Sequence, residues 1–195
     1  MREKECNKEY KSMKHCGLNG RSIIALCLVF TFTFSLTSCH SSRSFMYKGT
    51  DMRELVRAGN ALGFDIERKD NWPLMIEAAS WIGTPYRYGG NARSGIDCSG
   101  LNSEIYRTVF YKQLQRRSID QYHKDCKHVK KSHLRQGDLV FFAIHDNVKA
   151  KNINHTGIYL KDGLFIHAST SRGVVVDNLK TKYFDKYWIG GGRVK

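Results

Sequence analysis

The sequence predicts an α+β fold, with helices in the first half of the folded region and antiparallel strands in the second. Three observations carry this. Apolar residues recur at helical spacing as far as Val109, short β-branched and aromatic runs replace them from Leu139 onward, and turn residues separate those runs at hairpin spacing. The chain has 195 residues, 41% of them hydrophobic, which suits one ordinary domain and a short extra segment. That apolar content excludes a disordered chain, and no repeat of solenoid length is visible.

The N-terminal element reads as an export signal. Arg21 precedes an uncharged apolar run, Ser22 to Leu36, which is shorter than the roughly 20 residues a bilayer-spanning helix needs. Leu36-Thr37-Ser38-Cys39 follows it and resembles a bacterial lipobox, in which the cysteine receives a lipid and the chain before it is removed. The expected mature chain therefore begins at an acylated Cys39, with residues 1–38 as signal peptide and a lipid anchor in the membrane. A plain secretory signal with an incidental cysteine is the competing reading. Glu3, Glu5 and Glu9 are unusual in a signal n-region, so Met13 is a second candidate start. His40 is not an acidic retention residue, and the expected address is the outer membrane, facing the periplasm, if the host has one.

Residues 39–70 form a polar tether and a short N-terminal segment, with a helix over Met52 to Leu62 stopped by Gly63. The main domain is assigned to 71–195. Pro73 suits a first helical turn, and Leu74, Met75, Ala78, Trp81 and Ile82 keep the helical period until Gly83 and Pro85 end it. A loop marked by Gly89, Gly90 and Gly95 leads to Asp97-Cys98, after which Leu101, Ile105 and Val109 stripe a second helix. Arg116 to Arg135 reads as a basic, solvated stretch with a short helix near Ile119 to Lys124. Strands are expected at 139–142, 156–160, 164–167, 174–176 and 188–194.

Cys98 is the first chemical candidate. Placed where a Gly-rich loop enters a helix, its sulfur would meet unpaired amides and the positive end of the helix dipole, which lower a thiol pKa. A thiolate there is a nucleophile in want of a base. His155 and His167 stand on two strands joined by Lys161-Asp162-Gly163, a hairpin turn that would set them roughly opposite one another. The same residues also fit a packed core cysteine and two ordinary strand histidines. His145-Asp146 is a lesser competitor for the base. Cys126 could pair with Cys98 in an oxidising compartment, unless Cys98 is kept free for chemistry. His123, His128 and His133 recur every five residues, which fits neither helix nor strand and makes a poor metal site.

GTPYRYGGNARSGIDCSGL, then LRQGDLVFF, NHTGIYL and FIHAST, in that order, resemble the NlpC-type family of papain-like cell-wall cysteine peptidases over about residues 71–194. The resemblance implies a papain-like fold, with N-terminal helices packed on an antiparallel sheet and the nucleophile at a helix N-terminus. It implies Cys98 as nucleophile, His155 as base and His167 as the residue that orients the base. Tyr86 would help bind the oxyanion or the substrate carbonyl, and Asp97 and Ser99 would contact substrate, although Asp97 could equally be a helix cap. It implies hydrolysis of peptidoglycan stem peptides, at the bond from γ-D-glutamyl to diaminopimelate or lysine, with no metal or organic cofactor. A related thiol amidase or acyltransferase and a catalytically silent wall-binding lipoprotein are the alternatives.

Net charge is consistent with that partner. Lys+Arg 32 against Asp+Glu 18 gives +14, and +11 remains after residues 1–38. A basic protein suits an anionic polymer. Nucleic acid is not expected, because no recognition motif accompanies the charge.

Overall fold

In a computed structural model that describes residues 51–145 and 149–195, three helices precede and cover a six-stranded antiparallel sheet. Residues 1–50, which include the expected export signal and Cys39, lie outside the described residues. Helix α1 spans Met52–Leu62, capped by Asp51, whose side chain accepts from the Arg53 amide, and ended by Gly63 at φ 79°. It buries Leu55, Ala58 and Leu62. Helix α2, Trp72–Trp81, starts on Asn71 with Pro73 in its first turn and buries Leu74, Met75, Ala78 and Trp81. A two-stranded ribbon, β1 (Asn91–Ala92) and β2 (Gly95–Ile96), then delivers the chain to α3, Cys98–Val109.

The loop between α1 and α2 is clamped to the sheet by a buried charge pair. Lys161 Nζ lies 2.8 Å from Asp70 Oδ2 and 2.7 Å from Glu67 Oε1, and Gln136 donates to Asp70 Oδ1 at 2.6 Å. Burial alone would raise the Asp70 pKa, but these bonds outweigh it and hold the carboxyl below the ordinary range.

The main sheet comprises β3 (Cys126–Val129), β4 (Leu139–Phe142), β5 (His155–Lys161), β6 (Leu164–Ser169), β7 (Gly173–Asn178) and β8 (Trp188–Val194), in spatial order β3-β8-β4-β5-β6-β7. One face carries Leu139, Phe141, Ile158, Leu160, Ile166 and Val174 into a core with the helices. The other carries Val140, Phe142 and Phe165 against Leu179 and Phe184. With both faces of β4 covered, its run Leu-Val-Phe-Phe is continuously apolar rather than alternating.

The stretch 116–135 departs from the sequence expectation. A single helical turn at Ser118–Asp120 leads into a π-helical turn, Gln121–Asp125, and then into β3, which pairs with β8 at the sheet edge. It is not merely solvated: Gln121, Tyr122 and Cys126 are buried, and His128 stacks on Tyr122 with ring centroids 4.1 Å apart. Gln121 tolerates burial because its amide is fully employed, donating to Ser99 O, Gln115 O and Ser103 Oγ and accepting from Asn102. Cys98 and Cys126 are both free thiols, so no disulfide joins them.

Candidate active site

Cys98 is the first residue of α3, and the sequence around it explains why. Asp97 caps the helix through a 2.7 Å bond from the Gly100 amide. Position 100 must be glycine, since a Cβ there would stand 2.5 Å from Gly90 O. Asp97 also forms a bidentate pair with Arg116, at 2.9 and 2.6 Å, and accepts from the Gly89 amide at 2.9 Å. Ser99 Oγ accepts from the same guanidinium at 3.0 Å. One arginine thereby ties the entering loop to the first helical turn. Arg116 carries no signal of its own within a basic run, and sequence reasoning passed over it.

The sheet supplies the histidines. His155 opens β5 and His167 lies on β6, and both share the face that bears Phe142, Phe165 and Phe184. Register pairs Ile158 with Ile166 and Tyr159 with Phe165, so the two histidines are diagonal neighbours rather than direct partners. Their rings still meet, with His155 Nε2 2.8 Å from His167 Nδ1. Gly157 makes this approach possible: a Cβ there would stand 3.0 Å from His167 Cβ and 2.9 Å from the Phe165 ring, and closer still to Ile166 O. On its other side His167 Nε2 lies 2.9 Å from Asp177 Oδ2, and Asp177 is paired with Arg172 through both carboxylate oxygens.

A cleft of about 600 Å³ collects these groups: Tyr86, Cys98, His155 and His167 line it, with His145, Arg172 and Asp177 among the remaining wall residues. Asp97 and Ser99 are buried and do not line it. His145 points its ring nitrogens at Tyr183 and Tyr187, at 3.5 and 3.4 Å, and has no bond to the other histidines among the described residues. Asp177 and Arg172 escaped the sequence reading; the only hint was an acid closing the apolar run Val174 to Val176.

Electrostatics correct one expectation. Burial pushes the Cys98 thiol up to about 11, and the neighbouring Asp97 charge adds to this. Amides of Thr156, Ser99 and Cys98 itself pull the other way, as the helix-terminus argument requires, but they do not win. Desolvation, with His167 adding to it, draws His155 down to about 3. Burial thus pushes the thiol up and the imidazole down, and each shift favours the neutral form of its own group. Burial also raises the Tyr86 pKa, followed by Cys98 and Asp97, so its hydroxyl remains a donor.

A buried thiol at a helix start and two hydrogen-bonded histidines line one cleft on a mixed helix and antiparallel-sheet scaffold, the arrangement of the papain-like fold. The chain matches the NlpC/P60 family over residues 83–193 and belongs to that family. It is 40% identical over 114 residues to a "Probable endopeptidase NlpC homolog" of Haemophilus influenzae, covering 58% of this chain and 57% of the relative. It is 37% identical over 121 residues to the "Murein DD-endopeptidase MepS/Murein LD-carboxypeptidase" of Escherichia coli, covering 62% and 61%. The chain thus spans about three fifths of the length of these relatives. The crystal structure of an NlpC/P60 family protein from Bacillus cereus superposes with TM-score 0.58 at 32% identity, over 67% of this chain and 42% of that one.

Proposed function

We propose that the protein is a cysteine peptidase that hydrolyses the peptide part of bacterial peptidoglycan. One observation carries the reading: Cys98, His155 and His167 line a single cleft, with the histidines joined at 2.8 Å. In the reaction His155 Nδ1 takes the thiol proton as Cys98 Sγ attacks the scissile carbonyl. His167 keeps the other nitrogen of His155 bonded. The tetrahedral oxyanion is met by amides at the start of α3 and by the Tyr86 hydroxyl, a donor whose loss would cost about 3 kcal/mol. His155 returns its proton to the leaving amine, and water hydrolyses the thioester.

The endopeptidase names of the relatives support a wall-peptide substrate, as does a net charge of +14. Two bonds compete. The family resemblance points to the bond from γ-D-glutamyl to diaminopimelate or lysine, and the DD-endopeptidase part of the E. coli relative's name, which also carries LD-carboxypeptidase, points to a DD bond. We favour the DD bond, because that relative aligns with 62% of this chain. The uncharged apolar run Ser22 to Leu36 behind Arg21, followed by Leu36-Thr37-Ser38-Cys39, supports an export signal, a lipid anchor at Cys39 and an envelope address. Digestion of purified muropeptides, with products weighed by mass spectrometry, tests the whole reading. Wild type should release fragments cut at one peptide bond, and Cys98→Ala should release none while remaining folded. Turnover by Cys98→Ala would refute the mechanism, and inert wild type would leave a wall-binding protein.

A further inference from the structure

A relay of two histidines has a directional ambiguity that a histidine–asparagine pair lacks. A neutral imidazole carries one proton, and either nitrogen holds it. If His167 is protonated on Nδ1, it donates to His155 Nε2. That places the His155 proton on Nδ1, the nitrogen needed to receive the Cys98 proton, and the base is blocked. If His167 is protonated on Nε2, its Nδ1 accepts from His155 Nε2–H, and His155 Nδ1 is bare. Both arrangements satisfy the 2.8 Å bond between the rings. Something outside the pair must choose.

The group that contacts the far nitrogen is Asp177, its Oδ2 2.9 Å from His167 Nε2. An ionised carboxylate only accepts, so it demands the proton on Nε2. A protonated carboxyl could donate and would reverse the order. Arg172 guards against that state by donating to both oxygens of Asp177. Burial of Asp177 alone would raise its pKa, but the bonds from His167 and Arg172 prevail and hold it below the ordinary range. The arrangement is also anchored in the fold: β6 pairs with β7 so that His167 faces Val175 and Phe165 faces Asp177, which makes His167 and Asp177 diagonal neighbours.

We infer that Asp177, held by Arg172, is a positioning residue that sets the proton order of the His155–His167 relay so that His155 Nδ1 is bare toward Cys98. The inference rests on the peptidase reading above for its consequence in turnover, but not for its spectroscopic signature. No proton crosses the relay during the reaction. The thiol proton moves to His155 Nδ1, and the resulting imidazolium still donates from Nε2 to His167 Nδ1.

The test uses the full-length chain labelled with ¹⁵N-histidine, since imidazole ¹⁵N shifts report which nitrogen is protonated, with His155→Gln and His167→Gln spectra for assignment. Wild type should show Nε2 protonated and Nδ1 bare in both histidines. Asp177→Ala should lose that single pattern and reduce kcat on a defined muropeptide about 10- to 1,000-fold, less than the ~10⁴-fold seen when the group directly behind a catalytic histidine is neutralised. KM should barely move, and Asp177→Glu should recover part of kcat. A wild-type spectrum with His167 protonated on Nδ1, or with His155 protonated on Nδ1 alone, would overturn the inference. So would an Asp177→Ala protein that keeps both the pattern and kcat. If Asp177→Ala fails to fold, the wild-type spectrum alone decides. A wild type that shows the expected tautomers yet cuts no muropeptide would sink the peptidase reading and leave the proton order standing.

Discussion

The raised Cys98 pKa makes a prediction that needs no knowledge of the substrate. Titrating pH while alkylating the protein with iodoacetamide reads the thiolate fraction of Cys98 directly, because only the thiolate reacts. With the thiol at about 11 rather than the ordinary 9.0, the thiolate fraction at pH 7 falls from about 10⁻² to about 10⁻⁴. Alkylation should then be roughly 100-fold slower than for an exposed cysteine at pH 7, and should rise about tenfold per pH unit up to the thiol pKa. Quantifying the tryptic peptide that holds Cys98 by mass spectrometry separates it from Cys126, whose thiol burial pushes up to about 12. Stability should follow with the matching sign. The raised Cys98 pKa contributes stability that is complete below about 9 and lost as pH rises through about 11. The depressed His155 pKa makes the fold lose stability as pH falls from about 6.5 toward about 3. An alkylation rate that is flat between about pH 4 and 8 would refute the reasoning, since it would mean a thiolate–imidazolium pair already formed at rest.

Two further outcomes follow from the geometry and a third from the sequence. Gly157→Ala places a methyl against Phe165, Ile166 and His167; it should cost about 1–3 kcal/mol, visible as a Tm lowered by about 2–4 °C per kcal/mol, and should abolish muropeptide turnover. Lys161→Ala strands the buried Asp70 carboxylate and should cost about 3 kcal/mol in urea unfolding, whereas Lys161→Met combined with Asp70→Asn should cost less; equal losses would mean the pair does not act as a unit. Cys39→Ser should abolish incorporation of labelled palmitate and release the protein from membranes, and a wild type that is never labelled would sink the lipid anchor.

Legibility in the sequence tracked the range of each interaction. Helix limits were readable because caps are local: Asp51 with Gly63, Asn71 with Pro73, and Asp97 before Cys98 act within a few residues of where they stand. The strands were readable because their runs are apolar, and the Asp162-Gly163 turn, with both residues at positive φ, announced the β5–β6 hairpin. What escaped was polar and long-range. Gln121 is buried by virtue of partners six to twenty-two positions away, and the exposed Arg116 is held in place by Asp97, nineteen away. The π-helical turn and β3 were hidden for the same reason, since CKHV shows no strand period of its own. Motif picked out Cys98, His155 and His167, which the structure brings into one cleft, but the direction of the Cys98 pKa shift ran opposite to the helix-terminus expectation. The helix-terminus argument weighs amides alone, and desolvation with the Asp97 charge outweighs them.

Where the thiol proton rests bears on why the relay needs a fixed direction. With the proton on sulfur at rest, His155 must present a bare Nδ1 before reaction, which one order of the relay allows and the other forbids. After transfer His155 is an imidazolium with both nitrogens protonated, and only a His167 Nδ1 that accepts can stay bonded to it. The order that Asp177 imposes therefore serves the state before proton transfer and the state after it, and no donor or acceptor along the chain has to exchange roles as the barrier is crossed. A site that needs no reorganisation at that moment loses none of its electrostatic stabilisation to rearrangement. Were alkylation to show an ion pair at rest, the same order would still be required, because the imidazolium would be the resting form. The thiol titration and the tautomer spectrum thus test two independent properties: where the shared proton rests, and which way the chain behind it points.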